Sequence, residues 1–252
     1  MKVIYNGQLM EQENSHCSST GWLQGDGIFE TIRTVETKPW ALSRHMRRAV
    51  NSSLKRKTKL PNEEVLRSCV DQLLKSEAQK TGLLRLCFGS DGNWSAAHLE
   101  YQLVQDSASV WTHPTILPIE GIQLKTFPYN HRLEILEQAR SAGFDEAIVI
   151  NTRGNVSEGA VSNLLVKISG QWFTPPLSDG VLPGVMRALI IENCDVAVRA
   201  IAATEIETIE SAFLLSSLRI AQPISAINNR ELSQSHDFRT EIEAMALRTS
   251  VG

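Results

Sequence analysis

Lys125 stands in Gln-Leu-Lys-Thr-Phe-Pro-Tyr-Asn (123–130), where a strand pattern closes before a proline-interrupted loop. A lysine at such a point is an ordinary surface residue unless it is buried. Burial lowers its pKa, and a neutral amine can condense with an aldehyde to an imine. Glu158 falls in Val-Ser-Glu-Gly-Ala-Val-Ser-Asn (156–163), a stretch otherwise suited to burial between two apolar strands. A buried carboxylate there would need a cationic or protonated partner, whereas on a β-turn the same glutamate is merely solvated. Gly159 beside it marks a bulge or a close approach of the backbone. The third segment is Gly-Val-Leu-Pro-Gly-Val-Met-Arg (180–187). Pro183 suits a first helical turn, Gly184 allows close approach, and the N–H groups of Val185 and Met186 would form an anion site at a helix start. A plain turn into a helix accounts for the same residues, so no segment decides its chemistry alone.

Other chemistries lack their residues. There is no GxGxxG, no phosphate-binding loop lysine, no HExxH and no GxSxG. The six histidines sit singly, and the four cysteines (Cys17, Cys69, Cys87, Cys194) lack a CxxC spacing, so no metal site or disulfide framework is expected. A net charge of −3 provides no basic field for a nucleic-acid backbone. No stretch approaches the roughly 20 apolar residues of a membrane helix, and the opening Met1-Lys2-Val3-Ile4-Tyr5-Asn6-Gly7 turns polar at once, unlike a signal peptide. A reducing cytoplasm is the expected location. With 252 residues, 42% hydrophobic and 21% charged, the chain has the composition of a globular protein with one large core or two smaller ones.

The elements that must position these residues read as follows. Val3, Tyr5 and Asn6-Gly7 suggest a hairpin, and Ile28 to Arg33 a longer strand. Ser43 is the expected N-cap of a helix to about Lys57, with Met46, Ala49, Val50 and Leu54 near helical spacing. Pro61-Asn62-Glu63-Glu64 opens a second helix carrying Val65, Leu66, Cys69, Val70, Leu73 and Leu74. Strands are expected at Leu83–Phe88 and Leu99–Val104. The two prolines and lost periodicity of residues 112–121 predict a linker, between a smaller N-terminal α/β domain (1–111) and a larger C-terminal domain (122–252). The latter reads as a strand to Lys125, a helix at Arg132–Ala142, strands at Glu146–Ile150, Leu164–Ile168 and Trp172–Phe173, and helices at Pro183–Asn193, Glu205–Ala212 and Phe238–Arg248. Strands and helices that do not strictly alternate predict a two-lobed α+β or mixed α/β architecture.

Taken together and in order, these segments resemble the class IV aminotransferase family, the fold-type IV pyridoxal-phosphate enzymes. Its members include branched-chain and D-amino-acid aminotransferases and aminodeoxychorismate lyase. Gly-Asp-Gly-Ile-Phe-Glu-Thr-Ile-Arg (25–33) is similar to the family's early strand, and His45-Met46-Arg47-Arg48 to its His-x-x-Arg helix. The resemblance implies the D-amino-acid aminotransferase-like fold, a homodimer, a small-molecule amino substrate and pyridoxal 5'-phosphate. It assigns the Schiff base to Lys125, the cofactor phosphate to Arg48 and the helix start at Val185 and Met186, and the pyridine nitrogen to Glu158 in the C-terminal, cofactor-binding domain. Many relatives carry Asn three or four positions after the lysine; here the run is Pro128-Tyr129-Asn130, and Tyr129 would hydrogen-bond the phenolic oxygen. Ser216 and Ser217 are further phosphate donors. Phe29, Thr31 and Arg33 share one strand face by period two. If that face meets the substrate, Thr31 joins Lys125 as a catalytic candidate and Arg33 touches substrate; an ion pair is the alternative for Arg33. Arg85 and Arg219 are the other candidates for the substrate carboxylate.

Leu-Ser-Ser-Leu-Arg-Ile-Ala-Gln-Pro-Ile (215–224) is similar to the Asn-Ser-Leu-Arg-Gly type of stretch in aminodeoxychorismate lyases, with Ser216 in place of asparagine. Phe-Glu-Thr-Ile-Arg is likewise closer to the lyases than to the Phe-Glu-Gly-x-Arg of branched-chain enzymes. The expected reaction is conversion of 4-amino-4-deoxychorismate to 4-aminobenzoate and pyruvate, a step toward folate. Amino transfer on branched-chain or D-amino acids is the alternative, and a non-catalytic cofactor-binding relative a third.

Overall fold

The computed structural model describes residues 1–118 and 123–249. They divide into two compact units, one of residues 1–103 with 124–128, the other of residues 104–123 with 129–249. The expected boundary at 112–121 therefore differs from the observed division.

In the first unit, β1 (Lys2–Tyr5) and β2 (Gln8–Glu11) form the hairpin read from Asn6-Gly7, and both turn residues have positive φ. β3 (Gly27–Val35) continues through the short β4 (Lys38–Pro39) into α1 (Leu42–Arg56) and α2 (Glu63–Ser76). β5 (Thr81–Gly89) and β6 (Trp94–Glu100) complete the order β2-β1-β6-β5-β3-β4. The pairing is antiparallel throughout, and Ile28, Glu30 and Ile32 lie opposite Phe88, Leu86 and Leu84. Those apolar residues form one buried cluster with Met46 and Ala49 of α1 and Leu66, Val70 and Leu73 of α2. Even-numbered residues of β3 thus face the helices, and period two sends Phe29, Thr31 and Arg33 to the other face.

The start of α1 differs from expectation. α1 begins after Ala41, which is left-handed (φ 50°) and provides no side-chain cap. Ser43 lies inside the first turn, where its Oγ accepts from Arg67 Nη2. Val50 and Leu54, expected on the buried stripe, are 44% and 74% exposed; the stripe is His45, Met46, Ala49, Ser52 and Ser53. α2 is capped by Asn62, whose Oδ1 accepts from the N–H groups of Glu64 and Val65.

The second unit opens with β7 (Ala108–Leu117). Residues 112–117 of the expected linker belong to this strand, and residues 119–122 lie outside the described residues. Pro114 is accommodated where the pairing register shifts between Thr112 and Ile116, a position that does not require its missing N–H. The chain then contributes β8 (Thr126–Phe127), paired with β3 in the first unit, before α3 (Asn130–Ser141). β9 (Glu146–Asn151), β10 (Val156–Gly159), β11 (Asn163–Ile168), β12 (Gln171–Thr174), α4 (Val185–Asn193), β13 (Val196–Val198), β14 (Ser211–Ser216), β15 (Ile220–Ile227), β16 (Arg230–Glu231) and α5 (His236–Arg248) follow. The sheet order is β10-β9-β7-β15-β14-β11-β12-β13, with β16 beside β15. β7 runs parallel to both β9 and β15, so the sheet is mixed.

Two sequence expectations are corrected here. Of the strand expected at Leu99–Val104, only Leu99 and Glu100 are strand, and they end β6, which starts at Trp94. The helix expected at Glu205–Ala212 is a 3-10 turn over Ala203–Thr208, followed directly by β14. Ile206 and Ile209 do pack into the core, but the apolar residues from Ala212 onward pair with β11 as a strand. The segment around 215–224, read for its chemistry, is the β14–β15 hairpin.

Leu73 is fully buried beneath the first sheet, while Leu54 is exposed. Leu73→Ala should therefore destabilise the protein by about 2–5 kcal/mol and Leu54→Ala by less than about 0.5 kcal/mol, as measured by urea unfolding.

Candidate active site

In the first unit, a carboxylate interrupts an otherwise apolar row. Glu30 lies between Ile28 and Ile32 on the helix-covered face of β3 and is 1% exposed. Two residues one turn apart on α1 reach it. Arg48 donates through Nε to Oε1 (2.8 Å) and through Nη2 to Oε2, while His45 Nδ1 lies 2.7 Å from Oε2. Burial by itself would raise the Glu30 carboxyl. The Arg48 charge and hydrogen bond, with help from His45, overcome this and hold it at about 2. Burial pushes His45 down from its ordinary value, against the pull of Glu30, and the positive charges of Arg48 and Lys125 add to the lowering. A neutral His45 donates from Nδ1 to the carboxylate.

Lys125 is held by the same strand. The N–H of Phe29 donates to the Lys125 carbonyl (2.9 Å), and β8 pairs with Gly27 and Ile28 immediately afterward. Its Nζ lies 4.5 Å from the centre of the Phe29 ring. On that face Trp22 packs edge-on against Phe29 at 4.7 Å, and the Arg85 guanidinium stacks over Trp22 at 4.0 Å. Arg85 Nη1 donates to the Thr20 carbonyl, and Arg85 lies directly across from Thr31.

In the second unit, Glu158 of β10 is 5% exposed and draws donors from three places. Arg132 Nη2, in the first turn of α3, donates to Oε1 (2.9 Å). Asn163 Nδ2 (2.8 Å) and the Leu182 N–H (3.0 Å) donate to Oε2. Asn163 Nδ2 also bonds the Leu182 carbonyl, which ties β11 to the segment that enters α4. Gly184 is required there: a Cβ on it would stand 1.8 Å from Asn163 Oδ1. Arg187 anchors the helix start from the other side, with Nε on Thr174 Oγ1 and Nη2 on the Pro175 carbonyl. Burial lowers its pKa and the Glu158 charge opposes that shift. Val185 and Met186, both buried, thus begin a fixed helix whose first N–H groups have no partner within the helix.

The β14–β15 turn carries Ser216, whose Oγ accepts from the Arg219 N–H (3.1 Å), and the buried Ser217. Arg219 Nη1 donates to Glu146 Oε2 (2.8 Å), and Glu146 is fully buried. Glu146 also accepts from the Val161 N–H (3.2 Å). Arg219 thus serves a buried ion pair.

Of the sequence candidates, Arg48, Lys125, Thr31, Arg33 and Arg85 belong to the first unit. Tyr129, Glu158, Val185, Met186, Ser216, Ser217 and Arg219 belong to the second. Glu30, Arg132, Arg187 and Glu146 were not singled out. A charge in the apolar row of β3 was a readable signal for Glu30; nothing in the sequence around Arg132 distinguished it from a surface arginine.

The residue types present are those that pyridoxal 5'-phosphate requires: in the first unit the amine of a strand-pinned lysine and a guanidinium, and in the second a buried carboxylate and helix-start N–H groups. A buried polar atom also awaits a ligand: Arg132 Nη1 has no hydrogen-bond partner among the described residues. Among those residues no cluster of His, Cys, Asp or Glu could hold a metal, and no helix is long and apolar enough to cross a membrane.

Comparison with known proteins identifies the family. Residues 27–227 match the family model for amino-transferase class IV. The aminodeoxychorismate lyase of Bacillus subtilis is 30% identical over 217 residues, covering 76% of this chain and 73% of that protein. A putative branched-chain-amino-acid aminotransferase of Methanocaldococcus jannaschii is 23% identical over 259 residues, covering 92% and 90%. The crystal structure of a branched-chain aminotransferase from Thermoproteus uzoniensis superposes with a TM-score of 0.87 at 22% identity, covering 100% of this chain and 96% of that one. That likeness establishes the fold.

Because the folded-state pKa of Glu30 lies below its ordinary value, its contribution to stability is present above about pH 4.5 and is lost as pH falls toward 2. Glu30→Gln should leave Arg48 without its counter-charge and cost about 3–5 kcal/mol at neutral pH. It should also flatten the loss of stability between pH 4.5 and 2, as read by denaturant midpoints across that range.

Proposed function

The chain belongs to the amino-transferase class IV family of pyridoxal-phosphate-dependent enzymes, and from that premise we propose that it converts 4-amino-4-deoxychorismate to 4-aminobenzoate and pyruvate. The similarity to the Bacillus subtilis lyase over most of the chain carries the choice of reaction, and the Leu215–Arg219 stretch supports it.

Bound pyridoxal 5'-phosphate supplies an aldehyde that captures amines and a protonated ring that withdraws electrons from the attached substrate carbon. The chain's own residues do the rest. Lys125 would hold the cofactor through Nζ, and its amine is the group that would take the proton from substrate C4. Loss of that proton drives cleavage of the C3–O bond. The enolpyruvyl group departs and gains a proton to become pyruvate, and the six-membered ring becomes aromatic. Glu158 would hold the proton on the cofactor's ring nitrogen and Tyr129 would meet its phenolic oxygen. Arg48, the N–H groups of Val185 and Met186, and the hydroxyls of Ser216 and Ser217 would bind the phosphate. Thr31, Arg33 and Arg85 serve the substrate. Arg33, Arg85 and Arg219 are the candidates for the clamp on its carboxylates, Arg219 with its Nη1 already paired to Glu146. The reading includes a homodimer, as the family resemblance implies, and a cytoplasmic location, as the scattered cysteines suggest.

The alternative is amino transfer on branched-chain or D-amino acids. It is favoured by the end-to-end likeness to aminotransferases, which the Methanocaldococcus jannaschii relative illustrates.

Cofactor-loaded protein mixed with 4-amino-4-deoxychorismate and no keto acid should release 4-aminobenzoate over many turnovers, followed by its fluorescence. Lys125→Ala should abolish turnover. Absence of product, together with conversion of the cofactor to its amine form by an added amino acid, would establish the aminotransferase instead.

A further inference from the structure

Arg132 is more deeply placed than its position in the sequence suggests. Its side chain is 15% exposed, and Nη2 is committed to Glu158 Oε1 at 2.9 Å. Nη1 of the same guanidinium is buried and has no hydrogen-bond partner among the described residues. Holding Glu158 in place does not require that second arm, since Asn163 and Leu182 already fix the other carboxylate oxygen. A guanidinium has donors and no acceptor, and a buried donor without an acceptor is costly. The group that satisfies Nη1 must therefore bring an acceptor to a place beside the Glu158 carboxylate.

We propose that Arg132 is a further cofactor-binding residue, donating Nη1 to the phenolic oxygen of pyridoxal 5'-phosphate while Nη2 orients Glu158. This rests on the reading of Glu158 as partner of the ring nitrogen. The two arms of a guanidinium lie in one plane and point the same way, so an arginine bound to Glu158 through one arm presents the other to whatever Glu158 holds. The ring has two polar atoms of its own. Its protonated nitrogen is a donor and suits the carboxylate; its phenolic oxygen, two bonds along the ring, is the acceptor that suits a cation. Arg132 begins one helical turn after Tyr129, whose hydroxyl the same reading places at that oxygen, and an anionic oxygen accepts from both. A cation there favours the phenolate.

The test compares two ligands on the full-length protein freed of cofactor: pyridoxal 5'-phosphate, and its analogue with hydrogen in place of the 3-hydroxyl. Affinity is read from quenching of tryptophan fluorescence. Arg132→Met should weaken binding of the natural cofactor about 10- to 100-fold, the range of a hydrogen bond to a charged group. It should weaken binding of the analogue by less than about 3-fold. Arg132→Lys, which keeps a cation beside Glu158 but loses the planar fork, should show the same selective loss and guards against misfolding of the first variant. Equal losses for both ligands in both variants would mean that Arg132 only supports the site, and the proposal would fall. If the loss instead vanishes with pyridoxal lacking its phosphate, the arginine serves the phosphate and the proposal falls as well. Glu158→Gln separates the underlying reading. Should that variant bind both ligands as the unaltered protein does, Glu158 does not hold the ring, and the inference fails with it for that distinct reason.

Discussion

A carboxylate taken out of water is costly unless donors surround it, and Glu158 meets that requirement by recruiting donors from three separate parts of the second unit. Arg132 comes from α3, Asn163 from β11, and the Leu182 N–H from the segment entering α4. None of these elements can shift without exposing or orphaning a charge. The same constraint explains Gly184, because the Asn163 side chain that binds Glu158 passes too close to the backbone for any Cβ. One buried charge thus fixes a strand, a helix start and a loop relative to one another.

The first unit applies the same physics to a different end. Glu30 replaces what would be a third isoleucine-like position in the core row of β3, and α1 answers it with His45 and Arg48. This pairing takes the place of a side-chain cap in setting where α1 lies, since the helix starts without one. It also commits the Nε–Nη2 edge of Arg48 to Glu30, so the orientation of that guanidinium is set within the first unit. β8, pinned to β3 by the Phe29–Lys125 backbone bond, brings the lysine onto the same strand. The two sides of β3 are therefore unlike: Glu30 and the helices on one, Phe29 with Trp22 and Arg85 on the other.

Much of this was legible in the residues themselves. Period-two alternation marks β3, turn residues Asn6-Gly7 mark the first hairpin, and the apolar spacing of Leu66, Val70 and Leu73 marks α2, because each signal depends on neighbours within a few positions. The motif residues Arg48, Lys125, Glu158 and Val185 were visible for the same reason, as local patterns carried in order along the chain. Signals failed where tertiary pairing overrode local tendency. Pro114 lies within β7 at a register shift although prolines suggested a linker, and residues 211–216 form a strand because β11 and β15 lie on either side of them.

By itself, then, the sequence determined the local elements, the family resemblance and the types of group available for catalysis. Only the tertiary structure decided which charges are paired. Arg132 meets Glu158 across 26 residues and Arg219 meets Glu146 across 73. The physical reason is that a buried charge takes whichever donor the packing of distant elements delivers to it, and no local pattern records which one that is.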